Sequence, residues 1–387
     1  MKSLKSIIGL EVIAIFLAVF HGFGGLKTDE AKYLLNIPYP HPPLARWIMS
    51  VTEWMPIQEM FWRILLATLV IQSVWFVIDI GRDLSSLQRR TLGFLWIFSA
   101  GTLLQAGSIM MAPITAFQAL VFVWLLNKKV FVNRYSALIG IFWIASLFTA
   151  YQIILFSPIV FLVFWKTNLK KRLALVLFFV PIILLAFYTL TNPFVLASMV
   201  NAGTQNIHLA YHEQVLRIFY LWIIGGSGCL SVIGLWGMIV RRQWAIIASL
   251  ILLFAYTFLS YRPYYAILFL PLLIAGASSS SKLLNSYFIR FITVIITAFF
   301  VSLYPLSFQG SIARTVANKI ENIEGVVLIK GIFGHEWQYE ISQPLRVHKE
   351  SLVEYAEVIV CIPMCEERIG FSLMFDNDDV QVWIRSN

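Results

Sequence analysis

Eleven runs of apolar residues, separated by short clusters of charge, constrain this chain more than any other feature. They lie near 7–25, 61–80, 91–107, 110–126, 135–150, 152–165, 173–192, 217–240, 245–260, 264–278 and 288–306. A helix needs about 20 mostly apolar residues to cross the hydrocarbon of a bilayer. In that medium only helices and closed barrels satisfy every backbone polar group internally. The expectation is a mainly α, polytopic transmembrane bundle of about 11 spans, with the short runs near 135–165 and 264 able to shift the count by one or two. Composition agrees, with 59% hydrophobic and only 13% charged residues, against roughly 25% charged in soluble domains. The first run follows Met1-Lys2-Ser3-Leu4-Lys5-Ser6 without a small-residue cleavage site behind it, so it is read as a retained first helix.

Charge divides the chain. Residues 1–307 hold 22 Lys and Arg against eight acids, whereas 308–387 hold seven against twelve. The surplus sits between apolar runs, where it reports cytoplasmic loops and not a nucleic-acid partner. With the N-terminus inside, sixteen basic residues fall on the inner side: Lys2, Lys5, Arg82, Arg89, Arg90, Lys128, Lys129, Arg134, Lys166, Lys170, Lys171, Arg172, Arg241, Arg242, Lys282 and Arg290. Six (Lys27, Lys32, Arg46, Arg63, Arg217, Arg262) fall outside. An odd number of spans then places the tail outside. That tail, 308–387, carries β-branched runs at 323–331 and 358–363 with a helix expected near 348–356, which reads as a small extracytoplasmic α/β domain packed on the outer loops. Cys229, Cys361 and Cys365 are too few and too badly spaced for a disulfide framework or a zinc site. Function is expected in the two long outer loops of the 1–307 module, 26–60 and 193–216.

Asp29 and Glu30 stand together where the first run ends. An acid there can serve as general base toward a hydroxyl, or it can simply complement a helix N-terminus that Thr28 caps. Pro38, Pro40, Pro42 and Pro43 fit a rigid extended turn. His208 and His212 are spaced to share one helix face, a weak zinc pattern needing a third ligand such as His41; the alternative is a polar helix start. A divalent metal is therefore an open expectation. Glu11 within the first run, and His21, His335 and His348, are read as structural or solvated, and Trp47, Trp54 and Trp62 as an interfacial belt.

The loop Asp29-Glu30-Ala31-x-Tyr33 … His41-Pro42-Pro43-Leu44 after a first transmembrane helix resembles the GT-C glycosyltransferases, in the branch of protein O-mannosyltransferases and lipid A aminoarabinose transferases. Tyr261-Arg262-Pro263-Tyr264-Tyr265, running on to Pro271, is similar to the start of a late helix in that branch, and Tyr211-His212-Glu213 through Arg217 to a segment before a middle helix. The resemblance implies a GT-C module in a bacterial or archaeal plasma membrane. It would move a sugar from a polyprenyl-phosphate donor to a lipid-linked, cell-surface glycan or protein acceptor, with inversion. It makes Asp29 and Glu30 the catalytic acids and assigns Arg217, Arg262 and His41 to the donor phosphate. Tyr33, Tyr39, His212, Glu213, Tyr264 and Tyr265 are pocket candidates. Three departures leave the sugar and any metal open: Met110-Met111-Ala112-Pro113-Ile114 stands where many relatives carry a second acid, Phe148-Thr149-Ala150-Tyr151 lacks their lysine, and Asp29 to His41 spans only thirteen residues. A polar-lipid transporter or flippase and a non-catalytic scaffold are the rival readings.

Overall fold

The computed structural model describes residues 4–38, 41–166, 170–204, 211–280, 283–303, 309–331, 334–362, 370–377 and 379–386. Its first apolar run is the unbroken helix α1, Leu4–Gly22, and the chain then turns through Gly24 and Gly25 into the short helices α2, Thr28–Leu34, and α3, Leu44–Ser50. Helix α4, Gln58–Gln72, returns alongside α1 and continues past Ser73 as Val74–Ile80. Glu11 in α1 accepts hydrogen bonds from Thr68 (2.5 Å) and Gln72 (3.2 Å) of α4. A carboxylate in an apolar helix thus finds partners within the bundle.

Among the described residues three helices are long and apolar enough to cross a membrane: Leu4–Gly22, the run Gln58–Ile80 and Lys171–Thr191. A fourth counts if Tyr211–Gly225 and Cys229–Val240, bent by 96° where they meet, form one span. The eleven spans expected are not reproduced as eleven long helices, because serines, glycines and a proline interrupt the apolar runs. The run 91–107 divides at Ser99, whose side chain accepts from the Thr102 amide and starts Ala100–Gln105. The run 217–240 divides at Ser227 and Gly228, both at positive φ. There the Ser227 hydroxyl accepts from the Ala100 amide (2.7 Å) and pairs with Thr297 (2.6 Å). Pro263–Phe269 opens its run as a 3-10 helix. Such hydroxyls give the backbone partners outside the helical ladder.

Trp96, Trp143, Phe122, Phe156 and Phe269 fill the core of the bundle, while Phe16, Ile183, Phe187 and Phe291 stand exposed on its outside. In water such faces would be costly; against lipid they are ordinary.

After the helix Gln309–Ile320 the chain forms β1 (Val326–Lys330), β2 (Leu345–Val347), β3 (Ala356–Cys361), β4 (Phe371–Asn377) and β5 (Val380–Arg385). Their order is β2-β1-β3-β5-β4, with β1 parallel to β2 and β3 and the last two pairings antiparallel. β1 is the unbroken apolar run Val327-Leu328-Ile329 because both faces of the sheet are covered. The segment expected as a helix near 348–356 is a 3-10 turn, Glu350–Tyr355. Cys361 is disulfide-bonded, a single bridge and not the framework that the cysteine spacing rules out.

The tail lies directly on the first loop. Ser311 donates its amide to Gly24 O (3.2 Å), and Gly25 (φ 68°) packs so closely on Gly310 that a Cβ on either would strike the other segment's backbone.

Candidate active site

α2 is short, and tertiary contacts hold it in place. Ala31, Tyr33 and Leu34 bury one face against Met49, Trp62, Leu66 and Ile109–Met111, and each large side chain so buried contributes roughly 1.5–3 kcal/mol. A second face carries Glu30, 1% exposed. Its Oε1 accepts from Arg63 Nη1 (3.2 Å), Ser108 Oγ (3.2 Å) and the Ile109 amide (2.9 Å), and its Oε2 from Arg63 Nη2 (2.9 Å) and the Lys27 amide (2.9 Å). Burial raises the pKa of this carboxyl, but the charge and hydrogen bonds of Arg63, with help from Lys27, outweigh it and bring it down to about 2. Arg63 is equally enclosed. Its remaining N–H groups reach Glu59 (2.8 Å), Gly107 O (3.0 Å) and Gly25 O (3.0 Å), so every guanidinium donor is used.

Glu30 is therefore a correction to the catalytic pair expected from sequence: its oxygens are saturated with donors and its side chain is 1% exposed. Arg63, which sequence reasoning assigned only to an outer loop, is the residue it missed. The signal was present in Glu59-x-x-x-Arg63, an acid and a base one helical turn apart.

Asp29 faces the other way. It is about one-third exposed and pairs with Lys32 at 3.0 Å. Its charge and that of Arg262 both act on the partly buried His41, which burial foremost, with Arg262, brings down to about 4 despite the opposing pull of Asp29. His41 is thus neutral near pH 7, with its ring 6.4 Å from those of Tyr33 and Tyr151. His41 helps to line a narrow cavity, with Tyr33, Met110, Met111, Ala112, Thr115, Gln152, Tyr264, Tyr265 and Leu268. Gln152 donates to Tyr256 (3.0 Å) and Tyr265 (3.2 Å), whose hydroxyls are 3.0 Å apart.

The structure therefore gathers Tyr33, His41, Tyr264 and Tyr265 around one cavity, with Asp29 and Arg262 acting on its histidine. Arg217 lies nearby, its guanidinium 5.3 Å over the ring of Tyr261, the residue preceding Arg262. His212 and Glu213 do not line the cavity; they are exposed at the start of Tyr211–Gly225, because that helix turns its apolar face inward and its first turn outward. Tyr39 and His208 lie outside the described residues. Among the described residues no cluster of three His, Cys, Asp or Glu side chains could hold a metal. The segment Met110–Ala112, where the resemblance places a second acid, does line the cavity, but with apolar side chains. Trp62 is buried and donates to Thr52 (2.7 Å), whereas Trp47 and Trp54 are exposed.

The fold defines a helical bundle with a mixed α/β tail, and the cavity lies between the first loop, the start of helix Met111–Leu125 and a late helix start. No family model matches the sequence, and no curated protein does. Two solved structures share that architecture along almost the whole chain. The crystal structure of ArnT from Cupriavidus metallidurans bound to undecaprenyl phosphate is 13% identical with a TM-score of 0.64, covering 99% of this chain and 98% of that one. The apo state of the same protein is 13% identical with a TM-score of 0.62, covering 98% and 97%. The chain thus shares the fold of ArnT along nearly its whole length.

Proposed function

We propose that this chain is an integral membrane glycosyltransferase that uses a polyprenyl-phosphate sugar on the outer side of the membrane, with a glycan, lipid-linked or protein hydroxyl as acceptor. The observation that carries the reading is a cavity lined by His41, Tyr33, Tyr264 and Tyr265, whose histidine feels the charges of both Asp29 and Arg262, in a fold shared with ArnT, which holds undecaprenyl phosphate. Asp29 takes the proton of the acceptor hydroxyl as its oxygen bonds to the anomeric carbon. The bond from that carbon to the phosphate oxygen breaks, with inversion, and the polyprenyl phosphate leaves. Charge grows on the departing phosphate, and guanidinium groups stabilise such charge where it develops. Arg262, with Arg217 beside it on Tyr261, supplies them. Neutral His41 orients the phosphate or the sugar without adding charge. Glu30 and Arg63 hold α2, and so Asp29, in place.

A disulfide at Cys361 supports an outward-facing tail, because such bonds persist in oxidising compartments. A transporter would leave broken-helix polar groups to its substrate, whereas the break at Ser227 is satisfied by Ala100 and Thr297.

Arg262→Ala tests the donor side. Losing one charge-assisted contact in a closed site costs on the order of 10²–10³ in turnover, so purified Arg262→Ala should transfer sugar from donor lipid at least about a hundredfold more slowly, and Arg217→Ala less so. Parental rates in both variants would remove the guanidinium assignment.

A further inference from the structure

Far from the candidate site, four loops separated by up to 160 residues bring seven cations to two adjoining cavities. Arg82, Lys128, Lys129, Arg134 and Lys166 line one. Lys166, Arg241 and Arg242 line the other, which shares Leu126, Asn127 and Lys166 with the first. Among the described residues two carboxylates pair with this group, Asp83 with Arg82 (3.8 Å) and Asp79 with Lys128 (2.6 Å). The cationic walls remain in excess. A topological charge bias requires basic residues on one side of the membrane; it does not require them to converge on cavities. Nor is the lining uniformly polar. Ile80, Val123, Leu162 and Ile246 floor the second cavity beneath its cations, and Trp244 stands exposed at its edge. Helix Met111–Leu125 runs from the candidate active site at Met111 to this basic end at Leu125, which separates the two by about 20 Å at 1.5 Å per residue.

We propose that these adjoining basic cavities bind the phosphate headgroup of an anionic membrane phospholipid, with the start of its acyl chains on the apolar floor. The cations neutralise the phosphate, bidentately where arginine serves, and basic pockets between helices at a membrane surface have the chemistry for such headgroups. A free phosphate would meet the same cations but gain nothing from the floor. The proposal does not depend on the transfer reaction.

Native mass spectrometry of the full-length protein, titrated with phosphatidylglycerol and with phosphatidylcholine of the same chains, tests it. The parental protein should bind phosphatidylglycerol at least about tenfold more tightly. The triple variant Lys166→Gln, Arg241→Gln, Arg242→Gln should lose on the order of 100-fold in that affinity, about fivefold per charge removed, and leave phosphatidylcholine unchanged. If the triple variant does not insert, Arg242→Gln alone should show the fivefold loss. Equal binding of the two lipids by the parental protein, or undiminished phosphatidylglycerol binding by the variant that folds, overturns the proposal. Displacement of the lipid by inorganic phosphate at equal concentration overturns it too, because it assigns the cavities to a free anion.

Discussion

Consecutive residues on a helix point about 100° apart, and α2 uses that angle to give two adjacent carboxylates different surroundings. Glu30 turns into the protein, where it and Arg63 share two hydrogen bonds with both side chains 1% exposed. Asp29 stays about one-third exposed, paired with Lys32 in a partly exposed bridge and near enough to His41 for its charge to act on that ring. Removing one partner of a buried ion pair typically costs about 3–5 kcal/mol because the other charge is stranded, whereas exposed pairs contribute about 1 kcal/mol or less. Glu30→Gln should therefore lower the melting temperature and membrane yield sharply, with Asp29→Asn close to parental in both. A Glu30→Gln variant as stable as the parent, measured by thermal unfolding in detergent, would contradict the buried-pair account. The adjacency of the two acids was legible in sequence; their division of labour was not, since Arg63 lies 33 residues away and only packing brings it to Glu30.

α2 has too few residues to be stable alone, and it is clamped from two sides. From the bundle comes Arg63; from the tail come the helix Gln309–Ile320, which supplies Arg314, and the helix His335–Glu340. Thr28 Oγ1 donates to Glu336, Arg314 bridges Glu59 and Glu340, and Tyr339 donates to Gln58 (3.4 Å). The two carboxylates hold the Arg314 guanidinium firmly in its charged form, against the opposing effect of partial burial. Arg314→Gln should cost only about 1 kcal/mol of overall stability, because the guanidinium is 40% exposed. It should nevertheless speed amide hydrogen exchange across residues 26–36 and slow sugar transfer, by loosening the support of Asp29. Unchanged exchange in that segment would show that the bundle alone holds α2. Apolar run length revealed which segments are helical, and the β-branched runs at 323–331 and 358–363 revealed β1 and β3. The breaks at Ser99 and Ser227 were hidden, because what stabilises the Ser227 break is hydrogen bonding to partners 127 and 70 residues distant.

At the scale of the molecule, charge asymmetry and the position of the candidate site make one connected claim: basic loops inside, first loop and tail outside. Single cysteines at Ser86 and Ser372, both exposed, test it with a membrane-impermeant thiol reagent on intact cells. Labelling at 372 and none at 86 is expected; the reverse would invert the topology and remove the outer site. The architecture was largely readable from apolar runs and the first-loop motif, while the cavity had to be seen in three dimensions, because Gln152, Thr115 and Met111 carry no motif. The central claim is that Asp29 is a general base and not merely part of a helix start. Asp29→Asn keeps the size and most hydrogen bonding of the side chain but removes the proton acceptor, and general bases contribute typically about 10²–10⁴-fold. Sugar transfer from polyprenyl-phosphate donor by purified Asp29→Asn, at matched yield and melting temperature, measures this directly: the account predicts a loss of at least about a hundredfold, and transfer at the parental rate would contradict it.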